Sequence, residues 1–340
     1  MSGGSAKAVY AAIGANSFLT VVKFVGFSVS GSASMLSEAI HSASDAANQT
    51  LLAVGIHRSK RPPSVTHPFG YGRELYVWSL VSAVGIFFLG CGLSLYHGVL
   101  GVLHPHQIEA STIALGILGL SAVVEGATLM VAIREVGRAA DAAGTSFWRY
   151  VKEGSDPMAV AVLLEDGAAE LGVIVAAACL GMAAWTGDPR WDAAGSIFIG
   201  LLLGFVAIFL IRRSGDILVG RSADDETAAK VKAVLIASPL VESTTQETIT
   251  ITGANNLHYR VEIDFDGRLV AQSFIDSLPE AERADLVAVF GSREGLDAFF
   301  ERYGDDMIDH LGRVVDGLEA EIQEAVPGVK HLDLEVHADD

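Results

Sequence analysis

The chain has 340 residues, 51% of them hydrophobic, with a mean hydropathy of +0.41 and a net charge of −18. That hydrophobic share is too high for an ordinary soluble domain and points to a membrane protein with a polar part attached. Residues 222–340 hold 26 of the 41 acids and nine of the 23 bases, so the composition breaks near Arg221. An acidic tail argues against a nucleic-acid partner. Cys91 and Cys179 both lie inside apolar runs, which makes a disulfide framework or a cysteine-based zinc finger unlikely.

In chain order, six segments reach the roughly 20 mostly apolar residues that a membrane crossing needs. They are 6–29, 33–56, 75–99, 111–133, 157–184 and 192–211, the second and fifth being the least apolar. The first apolar run is long and lacks a basic leader, unlike a cleaved signal peptide. Arg58, Lys60, Arg61 and Arg73 follow the second span, Arg134, Arg138, Arg149 and Lys152 the fourth, and Arg212 and Arg213 the sixth, whereas the alternate loops hold only Arg190. Positive loops stay on the cytoplasmic side, so both termini are expected there. Residues 1–221 thus form a transmembrane domain and residues 222–340 a cytoplasmic one.

In the tail, Asp224 to Ala237 reads as a helix with acids in its first turn. "ETITITG" and "LHYRVEIDFDG" alternate with period two as paired strands. "DDMIDHLGRVVDGLEAEIQEAV" has helical periodicity, ended by Pro327-Gly328, and "VKHLDLEVH" is a last strand. The order α-β-β-α-β predicts a small ferredoxin-like α/β domain, with 269–303 as an inserted helical excursion.

The second span carries Glu38, His41, Asp45 and Asn48 at spacings of three, four and three, on one helical face. His41 and Asp45 are ligand types that a borderline divalent metal such as Zn²⁺ accepts. The same stripe would also serve as a polar seam between helices. The fifth span, which Asp156-Pro157 opens, carries Glu165, Asp166 and Glu170. Three acids in six residues of a span are too costly to lack a partner or a function. If Asp166 faces His41 and Asp45, three ligands converge, with Glu170 or water as a fourth. Glu125 in the fourth span is read either as an interhelical hydrogen-bonding group or as a proton carrier. Asn16 and Lys23 share a face of the first span, as helix packing or a buried ion pair.

These residues lead to a resemblance. "NSFLTVVKFVGFSVSGSASML", "HSASD", "HPFGYGRE" and "DPRWDAAGSIFIG", in this order on six spans, are similar to motifs of the cation diffusion facilitators, membrane exporters of zinc and related divalent cations. "LLEDGAAELGVI" looks most like the subfamily of the ninth human zinc transporter. The resemblance implies a Zn²⁺/H⁺ antiporter working by alternating access, not an enzyme, with protons as coupling ion and a homodimer formed through the C-terminal domain.

It implies His41 and Asp45 as one half-site and Asp166 in the other, where Val162 stands in place of the family's histidine. Glu170, Glu165 and Glu38 are then the candidates to complete the shell. The oxygen-rich set keeps Mn²⁺ or Fe²⁺ open as substrate, and a metal-binding membrane sensor or scaffold is the rival function. In the loop after the second span only His67 matches a family ligand position, with Ser64 and Tyr71 at the others. In the tail, His337 and Asp339 resemble an H-x-D metal pair, and His331, Glu262 and His258 are weaker candidates. Compact length without a targeting peptide suggests a bacterial plasma membrane.

Overall fold

The structure is a computed structural model that describes residues 3–105, 112–142, 144–153, 157–253, 256–280 and 293–337. It divides into two compact units, Met1–Val219 and Gly220–Asp340.

The first unit is helical throughout. Its helices are α1 (Gly3–Ser30), α2 (Ala33–Ser59), α3 (Glu74–Gly85) continuing through a π-helical turn (Ile86–Cys91) into α4 (Gly92–Leu103), α5 (Thr112–Ala142), α6 (Phe147–Glu153), α7 (Pro157–Thr186) and α8 (Arg190–Val219). Asp156, expected to cap α7, lies outside the described residues. Among the described residues, five helical runs are long and apolar enough to cross a membrane: Ile13–Ser30, Glu74–Leu103, Thr112–Asp141, Val162–Thr186 and Arg190–Val219. The expectation was six. The 27-residue α2 is long enough, at about 40 Å for a rise of 1.5 Å per residue, but Glu38, His41, Asp45 and Asn48 make it too polar to count on composition.

Local chemistry sets the helix ends. Gly31, at φ +66, closes α1 in a left-handed conformation, and Ser32 opens α2 by accepting from the Met35 N–H at 3.0 Å. The inner faces meet in a core of Met35, Ile86, Leu118, Val173, Leu180, Ile199 and Leu203. Large apolar side chains such as Phe88, Val123 and Phe205 point outward, as a helix bundle in lipid requires. Helices α2, α7 and α8 pack closely. A Cβ added at Gly195 of α8 would collide with Ser34 Oγ and lie 2.8 Å from Cys179 Cβ.

The second unit has a three-stranded sheet in the order β1 (Val241–Gly253), β2 (Asn256–Phe265), β3 (Val329–Val336), with β1 antiparallel and β3 parallel to β2. A parallel neighbour needs a crossover, which here contains α10 (Gly267–Ser277) and the 33-residue α11 (Arg293–Ala325). Helix α9 (Asp225–Ala237) is capped by Asp224, which accepts from the Thr227 N–H at 2.9 Å. Val231, Leu235, Tyr259, Val261, Ile263, Leu318, Ile322 and Val329 form the core between sheet and helices. The described part of 269–303 is helical. Its last residues form no separate excursion but the first turns of α11, because apolar Leu296, Phe299 and Phe300 extend that helix's periodicity upstream.

Candidate functional site

The buried polar groups of the helical unit gather where α1, α2, α5 and α7 adjoin. At one end of the α2 stripe, Lys23 Nζ on α1 donates to Glu38 Oε2 at 2.8 Å and to Glu125 Oε1 of α5 at 2.6 Å. Lys23 is 1% exposed and Glu38 fully buried. An ammonium this deep is tolerated only when paired, and removing one partner of a buried pair typically costs about 3–5 kcal/mol.

One turn further along α2, His41 Nε2 lies 3.5 Å from Asp45 Oδ2. His41 Nδ1, on the other side of the ring, has no hydrogen-bond partner. It faces Gly172 of α7: a Cβ there would sit 3.6 Å from His41 Nδ1 and would overlap Glu38 Oε1, which also lacks a partner. Asp45 is within electrostatic reach of Glu165, Glu125, Lys23 and Asp166. At the far end of the stripe, Asn48 Nδ2 donates to both oxygens of Glu165, at 2.9 and 2.7 Å. Glu170 turns toward α5, its Oε2 unpartnered and 3.4 Å from where a Cβ on Gly126 would stand.

The stripe on α2 and the acids on α7 therefore share one polar interior, but their partners differ. His41 and Asp45 adjoin each other, Glu38 is held by Lys23, and Glu165 by Asn48. Among the described residues, no group of three or more His, Cys, Asp or Glu side chains is gathered closely enough to hold a metal ion. Val162 is 40% exposed and takes no part in this interior.

Lys23 forms the buried ion pair, and Glu125 the interhelical hydrogen bond, that were among their expected roles, but three finer features went unread. The first is that the two meet, although a lone lysine in an apolar span is itself a signal that buried acids must lie near it. The second is Asp192 at the start of α8, which accepts from Ser32 Oγ at 2.6 Å, from the Ala33 N–H at 2.5 Å and from the Ser34 N–H at 3.3 Å, closing the N-terminus of α2. The third is Gly172, which no spacing rule marks.

In the loop after α2, Ser64, Thr66, His67 and Tyr71 bond to one another. Ser64 Oγ is 3.2 Å from Tyr71 OH, and the His67 and Tyr71 rings lie 4.4 Å apart. In the second unit, His337 Nδ1 lies 3.3 Å from Glu262 Oε2, and Asp339 is outside the described residues. His258 Nε2 lies 2.7 Å from Asp333 Oδ2, with the His331 ring 6.2 Å from that of His258. Burial and the neighbouring Glu247 push the Tyr259 hydroxyl well above its usual range. Burial and the nearby Arg313 lower the His310 imidazole.

Helices that are apolar outside and carry acids, a histidine and a lysine inside define a polytopic membrane protein with a polar interior. Residues 9–219 match the family described as the cation efflux transmembrane domain, and the chain belongs to that family. It is 43% identical over 333 residues to the mitochondrial proton-coupled zinc antiporter SLC30A9 of Mus musculus and, equally, to that of Homo sapiens, covering 98% of this chain and 59% of each relative. It is 39% identical over 336 residues to metal tolerance protein C4 of Arabidopsis thaliana, covering 98% of this chain and 74% of that protein.

The chain thus spans about three-fifths of the length of the SLC30A9 relatives. These relatives, animal proteins with mitochondrial names, overturn the expectation of a bacterial plasma membrane. Compact length was the ground for it, and a chain matching only part of longer relatives carries no such information.

Proposed function

We propose that the chain exports a divalent cation, zinc foremost, in exchange for protons. The ion would bind between α2 and α7 at His41, Asp45 and Asp166, with Glu170 completing four donors, the usual count for zinc. The single observation that carries this reading is the pair of buried His41 and half-buried Asp45, with His41 Nδ1 unpartnered and Asp45 within electrostatic reach of acids of α7. Metal binding requires neutral imidazole and ionised carboxylates, so each ion that enters displaces protons and each returning proton weakens its hold.

The ligands stand apart here, so loading would draw α7 toward α2, and that movement is the step that alternating access needs. In this reading α2 is a sixth crossing, its polarity serving the ion rather than the lipid. The C-terminal unit is a reduced ferredoxin-like module with α9 and α11 over one face of its sheet, and it joins two copies into a dimer. The pairs His258–Asp333 and His337–Glu262 act in that module as cross-strand contacts. The names of the relatives, a zinc antiporter and a metal tolerance protein, support the class of substrate.

The test is uptake of Zn²⁺, Mn²⁺ and Fe²⁺ by proteoliposomes holding the purified protein, with and without a pH gradient. Gradient-driven zinc uptake that Asp45→Ala and Asp166→Ala both abolish would support the proposal. Binding of metal without movement in the wild type would overturn it in favour of a membrane metal sensor.

A further inference from the structure

Six carboxylates line this interior: Glu38 and Asp45 on the α2 stripe, Glu125 and Glu170 within electrostatic reach of Glu38, and Glu165, Asp166 and again Glu125 within reach of Asp45. If all were free to turn toward an arriving cation, they would offer more oxygens than zinc uses and would suit a hard, six-coordinate ion instead. Lys23, 1% exposed, holds one oxygen of Glu38 and one of Glu125 at 2.8 and 2.6 Å.

Glu38 matters most. It sits one turn before His41 on the same face of α2, and its second oxygen has no partner. That oxygen shares the space over Gly172 with His41 Nδ1. A small change in side-chain torsion would make Glu38 a neighbour of an ion on the Nδ1 side of the imidazole, and the hydrogen bond from Lys23 opposes that turn. Lysine suits such a task because its ammonium is a compact donor with no acceptor atom: it binds carboxylates and repels metal cations.

We propose that Lys23 is a specificity-determining positioning residue. By occupying Glu38 and Glu125 it keeps both out of the transported ion's shell, so that His41, Asp45, Asp166 and Glu170 remain as a four-donor site that favours zinc over manganese. Lys23 touches no ion itself. The inference rests on the transport reading above and adds to it the origin of metal selectivity.

The test compares Zn²⁺ and Mn²⁺ uptake from mixtures by proteoliposomes of wild type, the double variant K23M/E125Q and the triple variant K23M/E125Q/E38Q. The double variant frees Glu38 while keeping the net charge of the three-residue group, so it avoids stranding an extra buried acid. We expect its Mn²⁺-to-Zn²⁺ uptake ratio to rise about tenfold, the result of one added hard oxygen donor. In the triple variant the ratio should return toward the wild-type value, which damage to helix packing would not produce.

A wild-type ratio in the double variant would overturn the inference and leave zinc transport standing. Absence of any uptake by the wild type would instead defeat the transport reading itself. Failure of both variants to fold would show that the ammonium serves to hold α1, α2 and α5 together, and would also overturn the selectivity role.

Discussion

Asp192, the third residue of α8, accepts a hydrogen bond from Ser32 Oγ at 2.6 Å at the very start of α2. The same carboxylate receives the Ala33 and Ser34 amides, and the Asp192 carbonyl receives Ser34 Oγ at 2.6 Å. One side chain therefore satisfies amides that begin a helix in another part of the chain, with a charge that the helix dipole favours. It also fixes the height of α2, and so of His41 and Asp45, relative to α8. Ser37 and Ser196, 2.7 Å apart, continue the same contact one turn deeper.

Asp192→Ala should accordingly lower stability by about 2 kcal/mol, the upper end for a lost cap with buried, charge-assisted bonds. Asp192→Asn keeps an acceptor and should lose about half as much. Thermal unfolding of the purified protein in detergent measures both. Equal stability of Asp192→Ala and wild type would show that α2 starts without this cap.

Gly172 supplies a second prediction, on the other side of the stripe. A methyl group there would meet Glu38 Oε1, which Lys23 prevents from retreating freely, and would press toward His41 Nδ1. If the ion binds between α2 and α7 as proposed, Gly172→Ala should push α7 away from α2 and weaken zinc binding at least about tenfold, since a ligand geometry loosened by a fraction of an ångström loses affinity steeply. Gly181, on the same helix, has nothing within 4 Å of its added Cβ. Gly181→Ala should leave zinc binding unchanged and raise stability by up to about 1 kcal/mol through helix propensity. Zinc titration of the two variants separates a local effect at the site from a general effect of replacing glycine in α7.

Much of this was readable from residue spacing. Five of the six expected spans announce themselves by length and hydropathy; the period-two run "ETITITG" falls within β1, and "LHYRVEIDFDG" falls in β2 up to Phe265, with Asp266 capping and Gly267 opening α10. Glu38, His41, Asp45 and Asn48 fall on one face because helical geometry leaves no alternative. Which partner each one takes is a different kind of fact. Asn48 meets Glu165, 117 residues away, and Lys23 meets Glu125, 102 residues away. Such pairs depend on the rotation and depth of helices against one another, which no pattern within a single helix records. The start of α11 also lies upstream of Asp305, because its first turns carry Phe299 and Tyr303, which stack on each other while Tyr303 meets Phe274 of α10 edge to face.

In the second unit, Tyr259 is fully buried and its hydroxyl donates to Glu247 Oε1 at 3.1 Å, from β2 to β1. Tyr259→Phe keeps the ring in the core and removes the donor, leaving Glu247 its contact with Lys232 Nζ at 3.2 Å. The expected loss is about 1 kcal/mol, the net worth of one hydrogen bond. Tyr259→Ala empties a core position and should cost about 3–5 kcal/mol. Denaturant unfolding monitored on the C-terminal unit within the full chain distinguishes these, and comparable losses in both variants would mean that the hydroxyl dominates over packing.

His310 gives the second unit a pH dependence with a definite sign. It lies on α11, buried, with Nε2 3.2 Å from Ser273 Oγ and its ring 5.6 Å from that of Phe274, both on α10. Burial and the Arg313 charge favour the neutral imidazole, so its pKa is lower in the folded protein than in the unfolded chain. The unfolded state then binds protons first as pH falls. The stability that His310 contributes is complete above the unfolded value of about 6.5 and is lost as pH drops through and below it. Amide hydrogen exchange in α10 should quicken relative to the rest of the unit between about pH 7 and 5, after correction for the intrinsic pH dependence of exchange. His310→Gln, which carries a polar group of similar reach but no titrating proton, should flatten that difference. An α10 whose relative protection is the same at both pH values in wild type would show that His310 stays neutral without cost to the packing of α10 on α11.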